Sequence, residues 1–186
     1  MPDHANLRDA AIRELWLGDA TASEPSLYAV IDAARDKAIY PRLHSLARAG
    51  AEVLPLYQGK ALAEMASVSP YLVGLGHDKS IFDWLWQEGW GNAWCIYLWS
   101  LVSIDTMREH LRRHTKARTE SGEMLVFRFY DPRVMRQIMP VLEPAQRLDL
   151  IGPISRITVE AEDGTGVIHY INTGRAVSET RKPLRV

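Results

Sequence analysis

Three places in the chain hold residue types that could do chemistry. The stretch Gly74-Leu75-Gly76-His77-Asp78-Lys79-Ser80 follows a strand-like run and precedes a helix-like one, the setting of a phosphate-binding loop. Such a loop needs glycine directly before Lys-Ser so that backbone amides can wrap the anion. Asp78 stands there instead, and its carboxylate repels phosphate. An ordinary turn is the preferred reading; a small α/β nucleotide-binding protein or enzyme using residues 74–80 with Asp131 is the alternative. His110 and His114 lie four apart in His-Leu-Arg-Arg-His, a spacing that can bring two imidazoles to one metal. A hydrolytic metal helix also needs Glu after the first histidine as general base, and here Leu111 occupies that position between two histidines flanked by arginine. Two half-exposed histidines on a basic helix is the better account. Cys95 sits between Trp94 and Ile96 with no base that spacing can put beside it, so it reads as a buried thiol. There is no Gly-x-Ser-x-Gly elbow and no paired-carboxylate arrangement. No catalytic, metal or cofactor residue is assigned.

The remaining candidates are residues of recognition. Arg108, Arg112, Arg113, Lys116 and Arg118 form the main charge cluster, with Glu109 the acid among them. A solvated helix face is the ordinary reading, and contact with an acidic partner surface the functional one. Nucleic acid is a weaker third reading, because stacking or base-reading side chains should stand among the cations. Five of the six tryptophans (Trp84, Trp86, Trp90, Trp94 and Trp99) fall within residues 84–99. Most of them should be core. Tryptophan is also enriched at interface hot spots, so Trp84, Trp86 and Trp90, with Arg112 and Arg113, are the candidate partner-binding residues. Along the apolar run, Trp94, Ile96 and Leu98 should face one way and Cys95, Tyr97 and Trp99 the other.

The elements that must position these residues follow from length, composition and period. The chain has 186 residues, 47% of them apolar, and a net charge of −1, which suits one globular domain over 1–186 and argues against bulk electrostatic binding of a polyanion. One cysteine excludes an intrachain disulfide and a multi-cysteine zinc site. No signal-like or membrane-length apolar run is visible, so no membrane partner and a cytoplasmic location are expected. A helix over 7–17 and a linker over 18–25 lead into strands at 27–31, 53–57, 71–75, 94–99 and 124–130. Helices over 36–49, 61–68, 80–89, 103–116 and from Pro132 alternate with them. From Ile154 the period becomes 2, and Asp163-Gly164-Thr165-Gly166 marks a β-hairpin. Residues 173–186 show no clear period. Strands alternating with helices predict an α/β fold, with a largely parallel sheet, flanking helices and a C-terminal hairpin.

Within this pattern, Phe127-Arg128-Phe129-Tyr130-Asp131-Pro132-Arg133-Val134 resembles the signature of the type VI secretion effector adaptors, or effector chaperones (domain of unknown function family 4123). Further pieces stand in the family's order: Leu27-Tyr28-Ala29-Val30-Ile31-Asp32-Ala33-Ala34, Leu56-Tyr57-Gln58-Gly59, Ser69-Pro70-Tyr71-Leu72-Val73, His110-Leu111-Arg112, and Gln146 with Gly152-Pro153. The adaptor-like core would be residues 24–155, and 156–186 the hairpin and tail. The resemblance implies an adaptor and not an enzyme, with no cofactor. Its partners would be a particular secreted effector and the spike protein that carries it. In physical terms, Arg128 within an apolar run needs a buried carboxylate or carbonyl partner, and Asp131 can cap the helix opened by Pro132. Arg128, Asp131 and Arg133 are therefore expected to be a structural motif.

Overall fold

The computed structural model describes residues 4–16, 26–76, 79–118 and 121–185. The expected 18–25 linker, and positions His77 and Asp78 of the glycine loop, lie outside them. Among the described residues, helix α1 (His4–Trp16) precedes the central strand β1 (Ser26–Asp32). There follow α2 (Ile39–Arg48), β2 (Val53–Pro55), α3 (Gly59–Met65), β3 (Pro70–Gly74), α4 (Ser80–Trp84) and β4 (Cys95–Ser100). After α5 (Ile104–Arg113) come a short hairpin, β5 (Lys116–Arg118) with β6 (Met124–Val126), then α6 (Pro132–Ile138) and α7 (Pro144–Ile151). Strands β7 (Ile154–Glu160), β8 (Gly166–Asn172) and β9 (Val177–Pro183) close the chain.

The main sheet has the order β2-β3-β1-β4-β7-β8-β9, and every neighbouring pair is antiparallel. This overturns the expectation of a largely parallel sheet. The alternation of strands and helices was legible, but a helix between two strands fixes neither their relative direction nor their adjacency: α3 joins β2 to its antiparallel neighbour β3. Strands β1 and β2 do run the same way, yet β3 lies between them; β3 and β4 run the same way with β1 between them. The crossovers therefore skip a strand, and the skipped position is filled by an antiparallel one. Two further expectations change. The run from Met124 is a strand only to Val126 and pairs with β5 outside the main sheet. The C-terminal stretch, which shows no period, contains β9 at the sheet edge; its exposed, charged residues hide a strand whose partner lies on one side only. Pro55 lies on the edge strand β2, where its missing N–H breaks no ladder.

Helices cover both sheet faces. Leu27, Ala29 and Ile31 of β1, with Tyr97 and Trp99 of β4, pack against α1, α2 and α4. Tyr28, Val30, Ile96 and Leu98 pack against α5, α6 and α7. The period-2 alternation thus assigns the β4 residues to their faces, except at Trp94, which joins the face of Cys95. Trp94 precedes the strand, and the chain turns just before it, at Ala93, whose φ is 56°. That left-handed residue is held by Glu160, whose buried carboxylate accepts from Gly91 N at 2.6 Å and Ala93 N at 3.0 Å.

The N-terminal helix is tied across the sheet. Trp99 Nε1 and Arg156 both donate to the Leu15 carbonyl, and Arg8 pairs with Asp83 of α4. Beneath it, Thr158 Oγ1 lies 2.8 Å from His169 Nδ1, while Glu14 contacts His169 Nε2 at 3.4 Å and Lys182 at 3.0 Å. Burial, reinforced by the Arg156 charge, drives His169 down to about 4. The ring is therefore neutral at pH 7, and its contact with Glu14 is a hydrogen bond donated by Nε2 instead of an ion pair. Because the unfolded chain binds this proton near pH 6.5 and the folded chain near 4, this contribution is complete above about 6.5 and is lost as pH falls towards 4. Denaturant unfolding at pH 7 and pH 5 should show about 2 kcal/mol of this loss in the wild type and none of it in His169→Gln. Equal pH sensitivity in both proteins would contradict the assignment.

Candidate functional site

The motif around Arg128 sits where the central strand ends. Asp32, fully buried, finishes β1 and caps a short 3-10 turn (Ala33–Arg35), accepting from Ala34 N at 3.0 Å. Its other carboxylate oxygen accepts from Arg128 Nη2, so a residue 96 positions later neutralises the charge. Tyr130 is buried beside this pair, and burial together with a hydrogen bond to Tyr57 pushes its phenol well up. Asp131, also buried, caps α6 by accepting from Arg133 N at 2.9 Å, and it holds the Arg133 guanidinium at 3.0 and 2.6 Å. Burial raises the Asp131 carboxyl, but the Arg133 side-chain and backbone hydrogen bonds outweigh it and leave it below its ordinary value. Two buried carboxylates are thus matched by two arginines that reach them from the surface. Both acids already accept from backbone N–H and guanidinium groups, so their oxygens are engaged within the fold. What they do is join the end of β1 to the entry of α6.

A different surface lies at the far end of α5. Ser103 caps this helix at Thr106 N, Met107 and Leu111 enter the core, and the opposite side carries the cations. Arg108 donates to the Pro55 carbonyl at 2.9 Å, which ties the helix to the edge strand. Arg113 is exposed and Arg112 half-buried. Directly after α5 the chain enters the β5–β6 hairpin, whose register pairs Lys116 with Val126 and Arg118 with Met124. Phe127 N donates to the Thr115 carbonyl at 3.0 Å, fixing the hairpin base. A cleft of about 350 Å³ opens beneath, lined by Leu56, Tyr57, Ala61, Arg112, Lys116 and Met124 among others. Sequence reasoning missed this hairpin by assigning residues 124–130 to the sheet. A glycine-containing turn at Ser121-Gly122 between two short runs was the available signal.

The other candidates lie elsewhere. Trp84 and Trp86 are buried, at 7% and 2% exposure, and only Trp90 of the three is half-buried. Phe82, Trp86 and Trp90 form a ring series with centroid spacings of 6.2 and 4.6 Å, and Trp84 packs on Trp94 at 5.8 Å. The helix widens to a π-turn over Leu85–Gly89, which re-aims these indoles onto the sheet. Their N–H groups have partners within the chain: Trp84 donates to Glu88 at 3.1 Å and Trp90 to the Gly164 carbonyl at 2.8 Å. Arg112 and Arg113 are therefore remote in role from the tryptophans: the former pair lines a surface cleft and the latter mostly fills the core. The His110 and His114 rings lie 4.8 Å apart, tilted by 59°, and burial holds both below their ordinary range. His110 Nε2 donates to the Leu150 carbonyl at 2.9 Å and Nδ1 accepts from Arg113, so both ring nitrogens are engaged. Gly152, with φ of 51°, lies so close to this ring that a Cβ would sit 2.2 Å from it. Cys95 is buried, and burial pushes its thiol up to about 12. At the glycine loop, the Glu52 carboxylate lies against Gly74, a further negative group beside the expected turn. Among the described residues, no group of three His, Cys, Asp or Glu side chains is placed to hold a metal.

Removing one member of the central pair exposes its dependence on the other. Arg128→Met should cost about 3 kcal/mol of stability, since it strands the Asp32 carboxylate in the core. Arg128→Met combined with Asp32→Asn should recover part of that loss. A double-mutant cycle by denaturant unfolding checks this, and additive single costs would contradict the pairing.

No curated protein and no solved structure matches the chain. The family described as a domain of unknown function (DUF4123) matches residues 27–149, from the start of β1 to α7. That span takes in both members of the Asp32–Arg128 pair, the Asp131 cap and the α5 cations. The chain belongs to this DUF4123 family.

Proposed function

We propose that the protein is an adaptor that binds one secreted effector in the cytoplasm of the producing cell and promotes its loading onto the spike protein of a type VI secretion apparatus. On this reading its work is recognition and not catalysis. The reading is supported by family membership together with the ordered pieces of the adaptor signature. One observation of geometry carries it furthest. The signature residues Arg128, Asp131 and Arg133 are occupied within the fold, whereas Arg112, Arg113, Lys116 and Arg118 stand beside exposed apolar side chains and have no ion-pair partner among the described residues. Charged and apolar groups left together on a surface suit contact with another protein.

The reading is tested by co-expression with the products of the neighbouring genes, one of which should be the cargo. A complex that survives size-exclusion chromatography is expected with at least one of them, and failure with all would contradict the adaptor function. Two variants then divide core from surface. Trp86→Ala should lose about 3–5 kcal/mol by opening a cavity, and any loss of complex should track its lowered Tm. Arg112→Glu with Arg113→Glu should leave Tm within a few degrees and weaken the complex at least about tenfold. A complex indifferent to the arginine pair would move the contact elsewhere.

A further inference from the structure

We infer that the β5–β6 hairpin and the basic end of α5 together dock an extended, acidic segment of the partner protein that carries apolar side chains between its carboxylates. The inference rests on the adaptor reading and names the surface and the chemistry of its occupant.

The hairpin is unusual in what it exposes. Met124, Leu125 and Val126 are 53, 48 and 58% exposed, three consecutive apolar residues in solvent, while most apolar strand residues of the main sheet are buried. An isolated two-stranded ribbon is marginal on its own, and this one pairs with no other strand among the described residues. Its outer edges keep backbone N–H and C=O groups available for an added strand. Cross-strand partners share a face, so Lys116 and Arg118 lie on the same side as Val126 and Met124. That side alternates cation with apolar group. Its Lys116 and Met124 also line the cleft of about 350 Å³, whose opposite wall includes Leu56 and Ala61.

Charge selects the occupant. Arg112, Arg113, Lys116 and Arg118 form no ion pair with any described carboxylate. A strand laid along the hairpin would place every second side chain on the cation-bearing face, where carboxylates meet Lys116 and Arg118 and short apolar groups meet Met124 and Val126. Nucleic acid fits less well, because the exposed groups between the cations are aliphatic and offer no ring for a base to stack on.

The test uses the whole chain and a labelled synthetic peptide that repeats Glu-Ser-Val-Ser, which sets glutamate and valine in turn along one face of a strand, followed by fluorescence anisotropy. Saturable binding is expected, and the glutamate–serine and lysine–valine counterparts should bind at least about tenfold more weakly. Lys116→Glu with Arg118→Glu, and separately Met124→Ser with Val126→Ser, should each weaken the first peptide by about tenfold or more at unchanged Tm. Lys116→Gln with Arg118→Gln, a milder pair, should rank between them and wild type. The inference is overturned by absent binding, by equal binding to the variants, or by tighter binding of a single-stranded oligonucleotide. The two readings fail separately. A neighbour-gene complex that forms undiminished with both variant pairs would overturn this docking surface and leave the adaptor function standing, whereas absence of any complex bears on the function itself.

Discussion

A buried carboxylate at the end of the central strand is the constraint on which this fold turns. Asp32 follows five residues with no place in water, and it is as enclosed as they are. A lone carboxylate there would be severely destabilising, so its neighbours are arranged around it. Ala34 N and Arg128 supply hydrogen bonds, and the Arg128 guanidinium is reached only when the chain passes back after α5 and the hairpin. The adjacent Asp131 repeats the arrangement with Arg133 and starts α6. Strand end, motif loop and helix start are thereby fixed by two matched charges and not by apolar packing alone.

This division of labour explains why the most distinctive stretch of sequence is inward-looking. Phe129 and Tyr130 are buried, Asp131 is buried, and the two arginines point back at the acids. On the proposed reading, recognition falls instead to what immediately precedes the motif. The chain must leave α5 and return to Arg128, and the excursion between them is the exposed hairpin. The Asp32–Arg128 staple stands next to the base of that excursion, where Phe127 is bonded to Thr115, while its two strands carry apolar and cationic groups outward. A change to the staple would therefore alter the surface as well as the stability.

Much of this was legible in the sequence where the signal was local. The amphipathic spacing of Met107 and Leu111, the proline at the start of α6, the Asp131 cap and the need of Arg128 for a buried partner all follow from residue types at short range. Strand neighbours were not, because a helix between two strands specifies neither their relative direction nor whether another strand lies between them. The edge strand β9 was invisible for the opposite reason: it buries little, so it needs no apolar period. The tryptophans read as an excess for core packing alone until the π-turn and the N–H partners account for them. The exposed Met124–Val126 triplet was misplaced because an apolar run is ordinarily a sheet strand.

Hydrogen–deuterium exchange of the chain, free and in complex with the product of a neighbouring gene, probes the central claim most directly. Amides of 116–118 and 124–126 should exchange freely in the isolated protein and become protected in the complex, with the Asp32 and Arg128 regions slow in both. Protection confined to other surfaces, such as β9 or α3, with the hairpin unchanged, would contradict the account.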